Sequence, residues 1–323
     1  MSHGSTKAVL TAVVGNGTVT IAKFIGFAFS GSSALLAEAV HSLADTANQA
    51  LLYLGLRRSE KVADEHHHFG YGQERYFWNL VSAVTIFFVG CVYTVMHALD
   101  SISHDHQPEL SVLAFSIIGF AFLVEGYCFL VALAEFNRQR KEKGCSFFAY
   151  FRESNDPTTL AVLIEDSVAM LGLLLAASGM GISAYTGSAL FDGIAALAIG
   201  VLMGFLAFFL ASVNKKFLIN VSDPNMDMVV TNIWKDDERI QRLQRINSIV
   251  ISPDESVLMA ELELREEELF ADMNPSEIEQ AVHFMKRIDL IRRSLEEEVT
   301  EGAPQAKHIF IEFVGLPEEK DPE

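Results

Sequence analysis

Four polar side chains, Glu38, His41, Asp45 and Asn48, sit in a stretch from Ser33 to Leu56 that is otherwise mostly Ala and Leu. Their spacing of three, four and three places them on one stripe of a helix with a 3.6-residue period. Imidazole nitrogen and carboxylate oxygen are the donors that bind a borderline divalent cation. The stretch is long enough to cross a bilayer, where an ionisable side chain is costly and points to a functional site. A second acidic pair, Glu165-Asp166, lies in the apolar segment TTLAVLIEDSVAMLGLLL. Adjacent residues point about 100° apart, so at most one of the pair squarely faces a given partner helix. The candidate metal-binding groups are therefore His41 and Asp45 with a carboxylate of the Glu165-Asp166 pair, and Asn48 lies on the same stripe. The plain alternative is a buried hydrogen-bond network that only holds helices together.

These groups need membrane helices to position them. The chain of 323 residues is 50% hydrophobic, with a mean hydropathy of +0.26. Apolar runs at Val9–Phe29, Ser33–Leu56, Phe77–Leu99, Leu110–Leu133, Thr158–Met180 and Ser188–Val213 predict six transmembrane helices, each near the roughly 20 residues that a hydrocarbon core requires. Residues 57–76 carry Arg57, Arg58, Lys61 and Arg75, and residues 134–157 carry Arg138, Arg140, Lys141, Lys143 and Arg152. The loops 30–32, 100–109 and 181–187 hold no Lys or Arg. The positive-inside rule then puts the two basic loops and both termini in the cytoplasm. A short polar amino terminus, Met1 to Lys7, fits a bacterial inner-membrane protein with membrane lipid as a partner.

Two domains are expected: a six-helix transmembrane domain over 1–214 and an acidic cytoplasmic domain over 215–323. From Lys215 onward there are 25 Asp and Glu against 13 Lys and Arg, so most of the net charge of −18 lies there. That acidity argues against nucleic acid as a partner, because phosphate binding needs Lys and Arg. In the tail, Ile249–Ile251, Val257–Leu264 and His308–Phe313 predict strands. Asn274-Pro275-Ser276-Glu277 predicts a capped helix start. Together they suggest a small α+β ferredoxin-like domain. Cys91, Cys128 and Cys145 form no C-x-x-C and indicate neither a disulfide framework nor a thiolate metal site.

The motif His41-Ser-Leu-Ala-Asp45, the loop His67-His68-Phe69-Gly70-Tyr71-Gly72 and the pair Glu165-Asp166 resemble the cation diffusion facilitator family of zinc and related metal transporters. The pattern is nearest the branch related to a mitochondrial and nuclear zinc carrier. The resemblance covers nearly the whole chain. It implies a homodimer that exchanges a divalent metal for protons by alternating access, with the ferredoxin-like tail. It also implies a transport site of two residues four apart on each of spans two and five. His41, Asp45 and Asp166 match three of these positions, whereas the fourth falls on Val162, leaving Asn48, Glu165 or a water to complete the set. A loop site of one Asp and two His is matched by Asp64 and His67 but has Tyr71 at its third position, with His66 and His68 beside it.

The leading expectation is thus a secondary transporter, not an enzyme, that moves Zn²⁺ out of the cytoplasm against protons. Fe²⁺, Mn²⁺, Co²⁺ and Ni²⁺ accept the same donors. No cofactor is expected, and no P-loop is present to couple transport to ATP. A cation channel can use the same polar stripe, and a non-transporting membrane scaffold with a degenerate metal site is the third reading. Outside the stripe, Lys23 is expected to snorkel. Glu125 is expected to hydrogen-bond a neighbouring helix or relay protons, and Asp192 to be a simple charge at a helix N-terminus.

Overall fold

A computed structural model describes residues 3–104, 109, 112–142, 157–252, 255–271, 273–303, 309–311 and 313. Six long helices occupy the six apolar runs among these residues: α1 (His3–Ser30), α2 (Ser33–Ser59), α3 (Glu74–His104), α4 (Val112–Glu142), α5 (Pro157–Thr186) and α6 (Leu190–Leu218). Four of them, α3 to α6, are long and apolar enough to cross a membrane.

The turns that join these helices follow from single residues. Gly31 takes φ +63 and reverses the chain between α1 and α2, a backbone conformation that glycine adopts without steric cost. Ser32 then caps α2 by accepting the Leu35 N–H at 3.1 Å. The same device recurs at Gly187, φ +69, between α5 and α6. At the opposite ends, α2 and α4 run further than the apolar runs, so Arg57, Arg58, Arg140 and Lys141 sit in last helical turns and not in loops. Cations there complement the negative end of the helix dipole. Lys143, Arg152 and Cys145 lie outside the described residues.

α2 is the central element, in contact with α1, α3, α5 and α6. Small residues let the helices close on it. Ala34, Ala37, Ala176 and Ala196 are buried with Leu35, Leu173 and Ile199 in one half of the bundle. Ala44, Ala83 and Ala207 are buried with Ile86, Met203 and Leu206 in the other. Gly193, Gly200 and Gly204 bring α6 against Ile102, Val95 and Cys91 of α3, where added side chains would collide. The middle of α3, Ile86–Val92, is a π-helical segment in which Gly90 receives the Met203 side chain.

Beyond the bundle lie α7 (Pro224–Lys235), β1 (Ile240–Ser252), β2 (Glu255–Leu264), the single turn α8 (Glu266–Leu269) and α9 (Pro275–Gly302). β1 and β2 pair as a hairpin. Asn274 and Glu277 form a reciprocal capping box at the start of α9, with Pro275 in its first turn. The chain divides into two compact units, Met1–Pro224 with Asn247–Leu258, and Asn225–Ile246 with Met259–Glu323. Within the first, Val250 N–H donates to Val221 C=O at 3.0 Å, and Asp223 N–H donates to Ser248 Oγ at 2.8 Å. The third expected strand is not formed at residues 309–311 or 313; His308 and Glu312 lie outside the described residues.

Candidate functional site

The helical period of α2 carries the stripe through the middle of the bundle. Glu38 and His41 are 0% and 1% exposed, and Asn48 is 5% exposed. His41 Nε2 lies 3.3 Å from Asp45 Oδ2, one turn along the same helix. α5 meets this stripe through Glu165. Asn48 Nδ2 donates to Glu165 Oε1 at 3.0 Å, and the Glu165 and Asp45 carboxyl groups face each other. Ser82 on α3 donates to Asn48 Oδ1 at 2.5 Å. Both ends of the Asn48 amide are therefore engaged, and its role in this geometry is to aim Glu165. Asp166, the next residue, is half-buried. As adjacent residues of α5 the two carboxyl groups point about 100° apart.

A second polar group lies one turn further up α2. Lys23 of α1 is completely buried and donates to Glu38 Oε2 at 2.9 Å, Ser42 Oγ at 2.8 Å and Glu125 Oε1 at 2.7 Å. Lys23 does not snorkel. Its ammonium is bound by partners from α2 and α4, about two turns before the end of α1. Gly172 of α5 makes room for the Glu38 carboxyl, since a side chain there would strike Glu38 Oε1. Closer to the start of α2, Asp192 of α6 accepts the Ser32 hydroxyl and the Ser33 N–H, both at 2.6 Å. It serves another helix's first turn as well as lying in its own. Ser33 and Ser101 hydroxyls join at 2.7 Å beside it.

Polar groups thus run along α2 from Ser33 to Asn48. Several buried atoms in this column have no hydrogen-bond partner: Glu38 Oε1, both ring nitrogens of His41, Asp45 Oδ1, Gln49 Oε1 and Glu125 Oε2. Buried polar atoms without partners cost free energy and call for a functional explanation. Among the described residues, no three His, Cys, Asp or Glu side chains close into a coordination sphere. The donors stand as a column.

The loop after α2 is arranged differently. Asp64 Oδ1 accepts the His66 and His67 N–H groups at 2.9 and 2.8 Å, and Tyr71 donates to Asp64 Oδ2 at 2.7 Å. The Tyr71 hydroxyl, followed by those backbone donors, holds the Asp64 carboxyl down at about 2. Both carboxylate oxygens are occupied by the loop itself, with the His67 and Tyr71 rings packed at 4.1 Å.

Long apolar helices enclosing a column of buried ionisable groups define an integral membrane protein. Comparison with known proteins narrows this class. Residues 9–219 match the cation efflux transmembrane domain. The human mitochondrial proton-coupled zinc antiporter SLC30A9 is 34% identical over 246 residues, covering 76% of this chain and 43% of the human protein. Metal tolerance protein C4 of Arabidopsis thaliana is 35% identical over 260 residues, 80% of this chain and 57% of that one. Magnetosome protein MamB of Magnetospira sp. (strain QH-2) is 24% identical over 266 residues, 80% and 85% respectively. The chain belongs to the cation diffusion facilitator family. It spans less than half of the human relative and a little over half of the plant one.

Proposed function

We propose that the protein is a secondary transporter that exports Zn²⁺, or a divalent ion of similar chemistry, from the cytoplasm in exchange for protons. The observation that carries this reading is the His41–Asp45 pair, buried at His41 and partly buried at Asp45, facing Glu165 across the α2–α5 contact, with unpartnered polar atoms on both His41 and Asp45. His41, Asp45 and the acidic pair Glu165 and Asp166 supply nitrogen and oxygen ligands without thiolate, a set from which a borderline ion can leave again. Val162 adds no donor, and Asn48 orients Glu165. Metal binding needs a neutral imidazole and ionised carboxylates, so each binding event releases protons. A more acidic medium on the far side returns them and ejects the metal. Alternating access moves the site between the two faces while α2 and α5 close around the ion.

In this reading all six long helices span the membrane, with both termini cytoplasmic and residues 1–214 as the transport domain. Residues 215–323 form a ferredoxin-like domain, and two copies assemble as a homodimer. The names and sources of the relatives support an antiporter of zinc in a membrane. The human and plant relatives lend no support to a bacterial inner membrane, since one is named as mitochondrial and the other comes from a plant. The test is uptake into proteoliposomes under an imposed proton gradient, with Zn²⁺, Fe²⁺, Mn²⁺, Co²⁺ and Ni²⁺ in turn. Saturable, gradient-dependent Zn²⁺ flux is expected. Unitary currents would replace the carrier by a channel, and absence of both flux and metal binding would leave a scaffold.

A further inference from the structure

We propose that the Lys23 ammonium is a tethered, resident cation that fills a second cation-binding subsite built by Glu38, Glu125 and Ser42. A lysine ammonium has three protons to donate and no lone pair to accept with. Here all three find oxygen, at 2.9 Å on Glu38, 2.8 Å on Ser42 and 2.7 Å on Glu125, with the side chain wholly removed from solvent. Two carboxylates and a hydroxyl around one cation form an oxygen cage of the kind that suits hard divalent ions such as Mn²⁺.

The cage is larger than its tenant. Glu38 Oε1 and Glu125 Oε2 have no hydrogen-bond partner, and both are buried. Beyond the three oxygens that hold the ammonium, the subsite keeps one spare acceptor oxygen on each carboxyl group. Three helices contribute, α1 with Lys23, α2 with Glu38 and Ser42, and α4 with Glu125; Gly172 of α5 gives Glu38 its space. Glu38 stands one turn from His41 on α2, so the resident ammonium is the next cation along the same column. Its presence limits the path to a single mobile divalent ion, because the neighbouring oxygen site is already charged and filled. A lone buried carboxylate pair without Lys23 would carry two uncompensated charges, a cost that only another cation or protons relieve.

This inference concerns binding at Lys23 and stands whether or not the protein transports zinc. The test counts bound Mn²⁺ per chain on the purified full-length protein, by equilibrium dialysis with free Mn²⁺ read from its electron paramagnetic resonance signal. Lys23→Met keeps an unbranched side chain of similar length and removes the charge. It should bind one Mn²⁺ per chain more than the wild type. Adding Glu38→Gln and Glu125→Gln to Lys23→Met should remove the extra ion while leaving the wild-type count. A folded Lys23→Met variant with the wild-type count overturns the proposal, as does an extra ion that survives in the triple variant. Should Lys23→Met be unstable alone, saturating Mn²⁺ must raise its melting temperature more than that of the triple variant, since a ligand stabilises the state that binds it. A Lys23→Met protein that stays unfolded with saturating Mn²⁺ equally overturns it.

Discussion

Replacing Asn48 by Ala tests the hydrogen-bond chain Ser82–Asn48–Glu165. Asn48 is buried, donates to Glu165 at 3.0 Å and accepts from Ser82 at 2.5 Å. Truncation leaves the Glu165 carboxyl without its amide donor and the Ser82 hydroxyl without its acceptor. Orphaning a buried polar group costs about 1–3 kcal/mol, and the gain in helix propensity from Ala returns at most about 0.7 kcal/mol. With two groups orphaned, a net loss of stability of about 1–5 kcal/mol is expected. Loss of a group that orients a metal ligand typically weakens metal binding about 10–100-fold, equivalent to about 1.4–2.8 kcal/mol. Ser82→Ala acts one step further back and should lose about 1 kcal/mol of binding, roughly fivefold. Because the three groups form one chain, the double variant should bind Zn²⁺ no more weakly than Asn48→Ala alone, a departure from additivity. Calorimetric titration of Zn²⁺ into the purified full-length variants measures each value. Zn²⁺ affinity of Asn48→Ala within twofold of wild type would refute the orienting role, and so would a larger loss in Ser82→Ala than in Asn48→Ala.

Asp45→Asn keeps the shape of the His41 partner and removes its charge. Zn²⁺ uptake into proteoliposomes should fall to background while the protein still inserts, and wild-type flux would remove Asp45 from the site. Asp192→Ala leaves the Ser32 hydroxyl and the Ser33 N–H buried without their acceptor, a cost of about 2–4 kcal/mol. Asp192→Asn retains an acceptor oxygen and should cost about 1 kcal/mol; equal melting temperatures for the two variants would contradict the capping role. Tyr71→Phe removes the first of the donors that hold Asp64 at about 2, so its carboxyl carbon should titrate in NMR nearer the ordinary value of about 3.9. A depressed carboxylate contributes stability that is present above its unfolded value and lost as pH falls towards 2. The variant should therefore lose that contribution at a higher pH than the wild type, and an unchanged titration would exclude the Tyr71 bond as its cause.

The stripe on α2 was legible because a helix converts spacing of three and four into a shared face, a rule that needs no partner. The start of α2 is local in the same way: Gly31 and Ser32 turn and cap the chain with atoms a few residues away. The choice between Glu165 and Asp166 was beyond any such rule. Both lie in the same apolar run, and only the packing of α5 on α2 turns Glu165 to Asn48, 117 residues distant. Lys23 shows the limit most clearly. A lone lysine in an apolar run is expected to reach for the nearest membrane surface, yet here it is held by Glu38 and Glu125, 15 and 102 residues away. Asp192 likewise lies in the first turn of its own helix while binding the N-terminus of α2, 160 residues away in sequence. Local periodicity and capping are encoded within a few residues. The pairing of buried charges depends on which helices meet and at what height, which is decided only when small residues such as Gly172 let the bundle close.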